Sequence, residues 1–301
     1  MSRRVDQKAK ARERIAAQLA AQQRAERRRR LLLAVGALVL VIVVVGGLIT
    51  IRLVGGGKKT ETGPSGAADA SIMTALTSIP ASTFAAVGTA AVQTAPAAIT
   101  GAPPLTANGK PKVLYIGAEF CPYCAAERWP VTVALSQFGT FSNLGTTHSA
   151  GGDVFPNTAT LSFHGATYTS QYLGFTGVET TTNEQVNGQY KPLDTPSPED
   201  QATFDKYNQP PYVQSRGSIP FVDLGGKYVG SGATYSPQLL AGKTQDQIAD
   251  ALKDPSSPIA KAVDGSANVY TAAICKLTNN QPASVCSTDA VTGAAAKLGT
   301  S

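Results

Sequence analysis

Along the 301-residue chain, hydrophobic positions change from one unbroken run near the N-terminus to short periodic groups further on. Residues 31–51 are 21 consecutive residues without a charge. As a helix, at about 1.5 Å per residue, this run covers about 31 Å, which matches one bilayer crossing. A cleaved signal peptide usually has a shorter apolar region, of about 7–15 residues, and a small-residue cleavage site. The run therefore predicts a transmembrane signal anchor over 31–51.

The periodic groups predict alternating strands and helices. A β-branched apolar run over 112–116 predicts a strand, and apolar residues at helical spacing over 125–138 predict a helix. Alternation over 158–164 predicts a second strand. Ser197 is a typical N-cap before the Pro-Glu-Asp that begins 198–207, which predicts another helix.

A hairpin and a further helix are predicted next. Two short apolar segments, 216–224 and 227–230, flank the Gly-Gly pair at 225–226, a pattern typical of a β-hairpin. Thr244 and Gln247 have the spacing of a capping box and predict the start of a helix. The order strand, helix, strand, helix, hairpin, helix assigns the folded part to the α/β class.

Positive charge is concentrated at the N-terminus. Residues 1–30 carry eleven Lys and Arg against three Asp and Glu, a charge of +8, whereas 31–301 carry fifteen against seventeen, a charge of −2. Because a nucleic-acid-binding domain needs basic residues across a folded face, we do not expect a nucleic-acid partner. A cationic flank before an apolar run stays in the cytoplasm. We therefore predict a cytoplasmic basic tail over 1–30, with an arm that binds anionic lipid or nucleic acid as the alternative.

Composition sets the other boundaries. Glycine, serine and other small residues dominate after the anchor, and no aromatic residue precedes Phe84. Since aromatic side chains supply much of a core, we predict a flexible linker over 52–84 and an extracytoplasmic folded domain over 85–290. Residues 291–301 are predicted to be a C-terminal tail. The protein is thus expected in the cytoplasmic membrane as a single-pass chain with its N-terminus inside.

The cysteines Cys121, Cys124, Cys275 and Cys286 are the candidate reactive residues. An even number in an exported domain favours disulfides, and sequence distance favours pairing 121 with 124 and 275 with 286. We expect the second pair to be a structural disulfide, with a second redox pair as the alternative. Zinc would require ligands at closer spacing, so the sequence predicts no metal site and no cofactor.

Cys121-Pro122-Tyr123-Cys124 lies between a predicted strand and a predicted helix. A cysteine at a helix N-terminus faces unpaired N–H groups and the positive end of the helix dipole, which both favour the thiolate. We therefore expect Cys121 to be the nucleophile and Cys124 to resolve the mixed disulfide. Pro122 suits the first helical turn. A purely structural disulfide is the alternative, although so short a loop removes little chain entropy.

Three segments resemble the thioredoxin superfamily. Residues 118–121 (AEFC) resemble the segment that enters the thioredoxin active site, 121–124 (CPYC) is the glutaredoxin dithiol string, and 216–220 (RGSIP) resembles the thioredoxin R-G-I-P with one extra residue. The resemblance implies a thioredoxin-like fold with Pro220 in cis against the dithiol. It also implies that Ile219 positions the substrate through backbone hydrogen bonds.

A narrower resemblance covers about 75–290. Residues 117–129 (GAEFCPYCAAERW) and 218–228 (SIPFVDLGGKY), together with the anchor, are similar to an uncharacterised family of membrane-anchored bacterial thioredoxin-like proteins. About 95 residues separate the dithiol from Pro220, around twice the thioredoxin spacing. We therefore expect an insertion over about 142–194, either a substrate-binding flap or a larger surface.

Five residues near the dithiol have side chains that could affect it. Glu119, Pro122 and Tyr123 are the candidates for tuning the dithiol. Glu127 and Arg128 are expected to form ordinary surface pairs, with tuning of the thiolate as the alternative. The function expected is a membrane-anchored thiol–disulfide oxidoreductase or isomerase that acts on exported cysteine-containing proteins. Reduction would need a membrane redox partner. The alternative is a membrane-tethered binding or assembly protein that uses the same scaffold with structural disulfides only.

Overall fold

A computed structural model describes residues 66–299. The predicted tail over 1–30, the predicted anchor over 31–51 and the first part of the predicted linker lie outside the described residues. Within 66–299, no single helix combines the length and apolar composition that a membrane span requires. Two consecutive helices, Ala70–Thr77 and Ala81–Val87, meet the length and composition requirements only when taken together, and the chain bends by 67° between them.

The described residues mix helices and strands, as predicted for an α/β chain. The helices are α1 (Ala70–Thr77), α2 (Ala81–Val87), α3 (Pro122–Ser136), α4 (Pro198–Tyr207), α5 (Gln245–Ala251), α6 (Pro258–Leu277), α7 (Ala283–Cys286) and α8 (Asp289–Ala294), with 3₁₀ turns at Pro237–Leu240 and Ala295–Lys297. The strands are β1 (Gly66–Ala67), β2 (Ala97–Ala98), β3 (Thr106–Ala107), β4 (Lys110–Gly117), β5 (Thr140–Ser142), β6 (Gly145–His148), β7 (Ala159–Ser162), β8 (Thr167–Thr169), β9 (Gly174–Glu179), β10 (Thr181–Val186), β11 (Gln189–Pro192), β12 (Phe221–Leu224) and β13 (Tyr228–Ser231).

The main sheet is mixed and centres on β4. On one side β9 runs parallel to β4, with Gly174 opposite Lys112 and Glu179 opposite Gly117. On the other side β12 is antiparallel to β4, and β13 and β2 follow in antiparallel order. A short hairpin joins β3 to the start of β4. The smaller sheets are β1–β6–β7, β10–β11 and β5–β8.

The side chains of β4 alternate between two hydrophobic clusters, one on each face of the main sheet. Val113 and Tyr115 pack with residues of α3 and α6, whereas Leu114 and Ile116 pack in a cluster that includes Tyr207 of α4. Helices therefore cover both faces. This arrangement explains why β4 is a continuous apolar run, since a strand that is buried on both faces has no polar side.

Local sequence signals set the helix starts where they were predicted. The Ser197 hydroxyl accepts a hydrogen bond from the backbone of Asp200 at the start of α4. Thr244 and Gln247 form the complete capping box that begins α5. The predicted hairpin is present as β12 and β13, which pair directly across the Gly-Gly turn.

The strand that lies parallel to β4 is not the second strand that the sequence predicted. The predicted strand over 158–164 exists as β7, but it pairs with β6 in a separate antiparallel sheet. The strand beside β4 is instead β9, which lies within the predicted insertion over 142–194. Its sequence GFTGVE is only partly buried and contains two glycines, so its pattern lacks the apolar run of an interior strand.

The folded part extends further at both ends than predicted. Ile72 and Leu76 of α1 are buried in the main core, although the linker was predicted to extend over 52–84. At the other end, Val291 and Leu298 are buried in the same core within the predicted tail. These segments contribute aliphatic and alanine side chains to the core. The predicted boundaries were too narrow because they were placed by aromatic residues alone.

A disulfide joins the end of α6 to α7. Cys275 and Cys286 are bonded, with their Cα atoms 5.6 Å apart. The predicted pairing of these two cysteines is confirmed, and the bond ties the C-terminal helices to the long helix that packs against α3.

Candidate functional site

The predicted dithiol lies at the start of α3, just beyond the end of β4. Cys121 is the N-cap residue, and its Sγ accepts a hydrogen bond from the backbone N–H of Cys124 at 3.3 Å. Both cysteines are free thiols. Cys124 is fully buried, whereas 6% of Cys121 is exposed. Of the two cysteines, Cys121 is therefore the one with exposed surface.

The pKa values of the two thiols move in opposite directions. A hydrogen bond from the Cys124 side chain lowers the pKa of Cys121, and the Cys124 backbone N–H and the charge of Arg128 act in the same direction against the effect of burial. Burial raises the pKa of Cys124 well above its ordinary value, and the neighbouring Cys121 adds to this rise. Cys121 is therefore the more acidic thiol of the pair.

The loop before β12 lies against the dithiol. The thiol of Cys121 points to the carbonyl oxygen of Ile219 at 3.8 Å, and the Ile219–Pro220 peptide bond is cis. The carbonyl of Ser218 accepts hydrogen bonds from the side chains of Asn208 and Ser231, which hold the loop between α4 and β13. A cavity of about 380 Å³ lies beside Ser218 and the end of β13. The fold thus brings together Cys121, Ile219 and Pro220, which are far apart in sequence.

The three candidate tuning residues occupy different environments. Glu119 is buried and accepts a hydrogen bond from the Ser162 hydroxyl at 2.7 Å. Pro122 is the buried first residue of α3. Tyr123 is 42% exposed, and its ring meets that of Phe155 edge to face at 5.9 Å. Of the three, only Tyr123 presents an extensive surface to solvent beside the dithiol.

The prediction that Glu127 and Arg128 form ordinary surface pairs is wrong, because both side chains are fully buried. Glu127 accepts hydrogen bonds from the backbone and hydroxyl of Thr234, and from the hydroxyl of Tyr270. Burial raises the pKa of Glu127 to about 7. The two neighbours in sequence point to different partners, since successive positions on a helix face different directions.

Arg128 forms a buried ion pair with Glu179 at the end of β9. Its Nε and Nη2 donate to the two carboxylate oxygens at 2.7 and 2.6 Å, and Nη2 also donates to the carbonyl of Ala118 at 2.8 Å. Sequence reasoning missed Glu179 because 51 residues separate it from Arg128. Only the parallel pairing of β9 with β4 brings this carboxylate to the dithiol loop.

Tyr115 is a second residue that sequence reasoning missed. Its hydroxyl lies beneath α3, 3.5 Å from the carbonyl oxygen of Cys124. Gly117 leaves room for this ring, because a Cβ atom at 117 would lie 2.5 Å from the Tyr115 hydroxyl. A tyrosine within an aliphatic strand and a glycine two residues later were the available signals.

Residues 98–276 match the family described as Domain of unknown function (DUF929). The match spans more than half of the chain. The protein belongs to the DUF929 family. The matched region contains the dithiol, the Ile219–Pro220 loop and Cys275, and it ends before Cys286. Neither the curated proteins nor the solved structures contain a match to this chain.

In this DUF929 protein, two parts of the predicted insertion contact the dithiol turn. The ring of Tyr190 in β11 stacks on Phe120 at 4.1 Å, and the backbone N–H of Glu119 donates to the carbonyl of Thr181. From another loop, the backbone N–H of Ala150 donates to the carbonyl of Phe120 at 2.8 Å. These contacts hold the residues that precede Cys121. Within 66–299, no three His, Cys, Asp or Glu side chains lie close enough to hold a metal ion.

Proposed function

We propose that this protein is a membrane-anchored, extracytoplasmic thiol–disulfide oxidoreductase that acts on exported cysteine-containing proteins. The observation that carries the proposal is the free Cys121–Cys124 pair at a helix N-terminus, with one thiol more acidic than normal and the other less. A thiol that attacks must be a thiolate, and a thiol that attacks second must stay protected until then. The two environments suit these two roles.

We further infer that the described residues have a thioredoxin-like fold. In support, the dithiol helix follows the central strand of a mixed sheet that has one parallel neighbour and an antiparallel hairpin on its other side. The cis Ile219–Pro220 bond lies against the dithiol, as the resemblance of 216–220 implies. On this fold, the backbone of Ile219 would position the substrate, and the segments of the insertion that hold Phe120 would form the margin of the site.

In the first step, the Cys121 thiolate attacks one sulfur of a substrate disulfide. A bond forms between Cys121 Sγ and that sulfur, while the substrate S–S bond breaks and its electron pair leaves on the other sulfur as a thiolate. In the second step, Cys124 loses its proton and attacks Cys121 Sγ, which releases the second substrate thiolate. The substrate gains two electrons and two protons, and the protein is oxidised to the Cys121–Cys124 disulfide.

The same steps in reverse oxidise a dithiol substrate and return the protein to its reduced form. The direction depends on the reduction potentials of the protein and its partners. Net reduction outside the cytoplasm would require a membrane redox partner to supply two electrons for each cycle. The location follows from the predicted anchor over 31–51 and the basic tail over 1–30. Exposed Tyr123 and Val154 offer apolar surface to an unfolded substrate segment.

The proposal is tested by trapping. In cells that express the membrane-bound chain, Cys124→Ala should accumulate mixed disulfides on Cys121, and Cys121→Ser should accumulate none. The purified parent should also reduce insulin or refold a reduced, disulfide-containing protein, and Cys121→Ser should abolish this activity. As a matched control, the double variant Cys275→Ser with Cys286→Ser should keep both properties. If the parent lacks both activities and Cys124→Ala traps nothing, the proposal fails.

A glutathione titration separates the proposal from the alternative of a binding or assembly protein. An active dithiol should titrate reversibly at about −120 to −270 mV. A pair that stays oxidised below about −300 mV would be a structural bond, and the scaffold would then serve binding alone.

A further inference from the structure

Arg128 is a buried cation on the same helix as the dithiol. It lies four residues after Cys124, which places both on one side of α3. Its side chain is fully buried, with two bonds to Glu179 and one to the Ala118 carbonyl. Its remaining nitrogen, Nη1, is buried and has no hydrogen-bond partner. One part of this guanidinium is thus paired, and another part is left without a partner inside the protein.

The carboxylate of Glu179 is firmly positioned. Its register opposite Gly117 places it level with the end of β4, where the dithiol loop begins. The Oε1 atom also accepts a hydrogen bond from the backbone of Phe163, and the Glu179 N–H donates to the Asp194 carboxylate at 3.1 Å. A buried ion pair offsets its desolvation only when its geometry is good, and this pair meets that condition at the level of the dithiol loop.

The charge of Arg128 reaches both sulfurs. It lowers the pKa of Cys121, and it opposes the rise in the pKa of Cys124. Glu179 has the opposite effect on Cys124, and the effect of Arg128 is the larger of the two. The phenol of Tyr115, which faces the dithiol from β4, has a pKa raised well above its ordinary value by burial and therefore stays neutral. Arg128 acts on both thiols, and Glu179 opposes it at Cys124. Glu119, a buried residue two positions before Cys121, interacts with Glu179.

We infer that Arg128 is a positioning residue whose buried charge stabilises negative charge on the sulfurs of Cys121 and Cys124, and that Glu179 limits this stabilisation. The inference rests on the proposed function. In the exchange, each sulfur must in turn become a thiolate without leaving the protein interior, and a fixed buried cation lowers the free energy of that state where little water can reach the sulfur. Arg128 takes up no electron and no proton in these steps.

The test is the pH dependence of Cys121 alkylation by iodoacetamide in the 301-residue protein, with the modified site located by mass spectrometry. Arg128→Met should move the midpoint upward by at least about one pH unit, which is a tenfold loss of thiolate below the midpoint. Glu179→Gln should move the midpoint downward, because it leaves the cation uncompensated. Arg128→Lys keeps a charge without the paired geometry and should give an intermediate midpoint. Opposite shifts from the two partners are the signature of charge, since a lost structural contact would move both variants the same way.

Two further variants protect the test against misfolding. Arg128→Met with Glu179→Met replaces the whole pair by apolar side chains, a change that folded proteins often tolerate. It should also raise the midpoint, because the effect of Arg128 exceeds that of Glu179. Glu127→Gln is the matched control: this neighbouring buried carboxyl contacts Thr234 and Tyr270, and its removal should leave the midpoint unchanged. Thermal denaturation verifies that each variant is folded.

The results separate this inference from the proposed function. If the parent exchanges disulfides but Arg128→Met and the double variant both keep the parental midpoint, the inference about Arg128 is overturned and the proposed function stands. The same holds if Arg128→Met and Glu179→Gln shift in one direction. If the parent exchanges no disulfides and the midpoints nevertheless shift in opposite directions, the proposed function fails, while the action of Arg128 on the thiols is supported.

Discussion

At the residue scale, several carboxyl groups lie in the protein interior away from the dithiol. Burial raises the pKa of Asp264 to about 8, that of Glu127 to about 7 and that of Asp223 to about 6. Glu127 and Asp223 accept hydrogen bonds, whereas neither carboxyl oxygen of Asp264 has a partner. Of these three carboxyl groups, Asp264 on α6 is therefore the one whose ionisation costs the most.

Asp264→Asn should stabilise the protein at alkaline pH. The folded-state pKa of about 8 lies above the unfolded value of 3.8, so the folded state binds the proton more tightly. The contribution of this group is fully present below pH 3.8 and is lost as the pH rises to about 8. At pH 9 we expect Asp264→Asn to raise the free energy of unfolding by about 1–3 kcal/mol, because the carboxylate must lose its hydration when it ionises in this site whereas the amide stays neutral.

Thermal denaturation of parent and variant between pH 4 and pH 9 measures this difference. The gain of Asp264→Asn should shrink as the pH falls toward 4. Asp250→Asn, at an exposed carboxylate, serves as the control and should change the melting temperature little at any pH. A gain for Asp264→Asn that is equal at pH 4 and pH 9 would contradict the assignment.

At the element scale, α3 contains a proline yet remains one helix. Pro130 has no N–H, so the carbonyl of Ala126 lacks its helical partner. The hydroxyl of Tyr235 donates to this carbonyl at 2.8 Å, and the hydroxyl of Thr160 donates to the carbonyl of Ala125 at 2.7 Å. The Tyr235 hydroxyl thus replaces the hydrogen bond that the proline removes, and the Thr160 hydroxyl adds one to the preceding carbonyl. The dithiol keeps a continuous helix behind it.

Tyr235→Phe should weaken this helix. The change removes the hydroxyl and leaves the buried carbonyl of Ala126 without a donor, which should lower the free energy of unfolding by about 1–3 kcal/mol. Urea denaturation measures the loss. Tyr168→Phe is a matched control, because its acceptor, the Leu135 carbonyl, also accepts from the N–H groups of Phe138 and Gly139. Equal losses in the two variants would contradict this account of α3.

At the scale of the whole described region, the C-terminal helices belong to the same core as the dithiol helix. α6 packs against α3, and α8 packs against α6. The disulfide between Cys275 and Cys286 closes the connection from α6 to α7. Residues 283–299 are therefore held both by burial and by a covalent bond.

Replacing both cysteines of this disulfide by serine should destabilise the fold without changing the dithiol chemistry. The bond closes a short loop, with a sequence separation of 11. Without it the unfolded chain gains conformational entropy, which should lower the free energy of unfolding by about 2–4 kcal/mol. Urea denaturation should show this loss, and the alkylation midpoint of Cys121 should match that of the parent. A shifted midpoint would instead favour a second redox pair that communicates with Cys121.

Neighbouring residues determined what the sequence could predict. The position of the dithiol between a strand and a helix depends on a few adjacent residues, and the same holds for the helix starts at Ser197 and Thr244 and for the hairpin. The pairing of Cys275 with Cys286 followed from their short separation. Each of these features is local, because capping, turn formation and short loop closure involve residues close together in sequence.

The tertiary structure alone decided which strand lies beside β4 and which side chains meet at the dithiol. β7 had the clearer strand pattern, yet β9 supplies the parallel neighbour and carries Glu179 to Arg128. Sequence spacing cannot encode such a meeting, because the partners lie 51 residues apart and are joined only by sheet register. The same reason explains Arg128 itself: the sequence showed a charged residue, and only the packing of the sheet on α3 made it a buried cation.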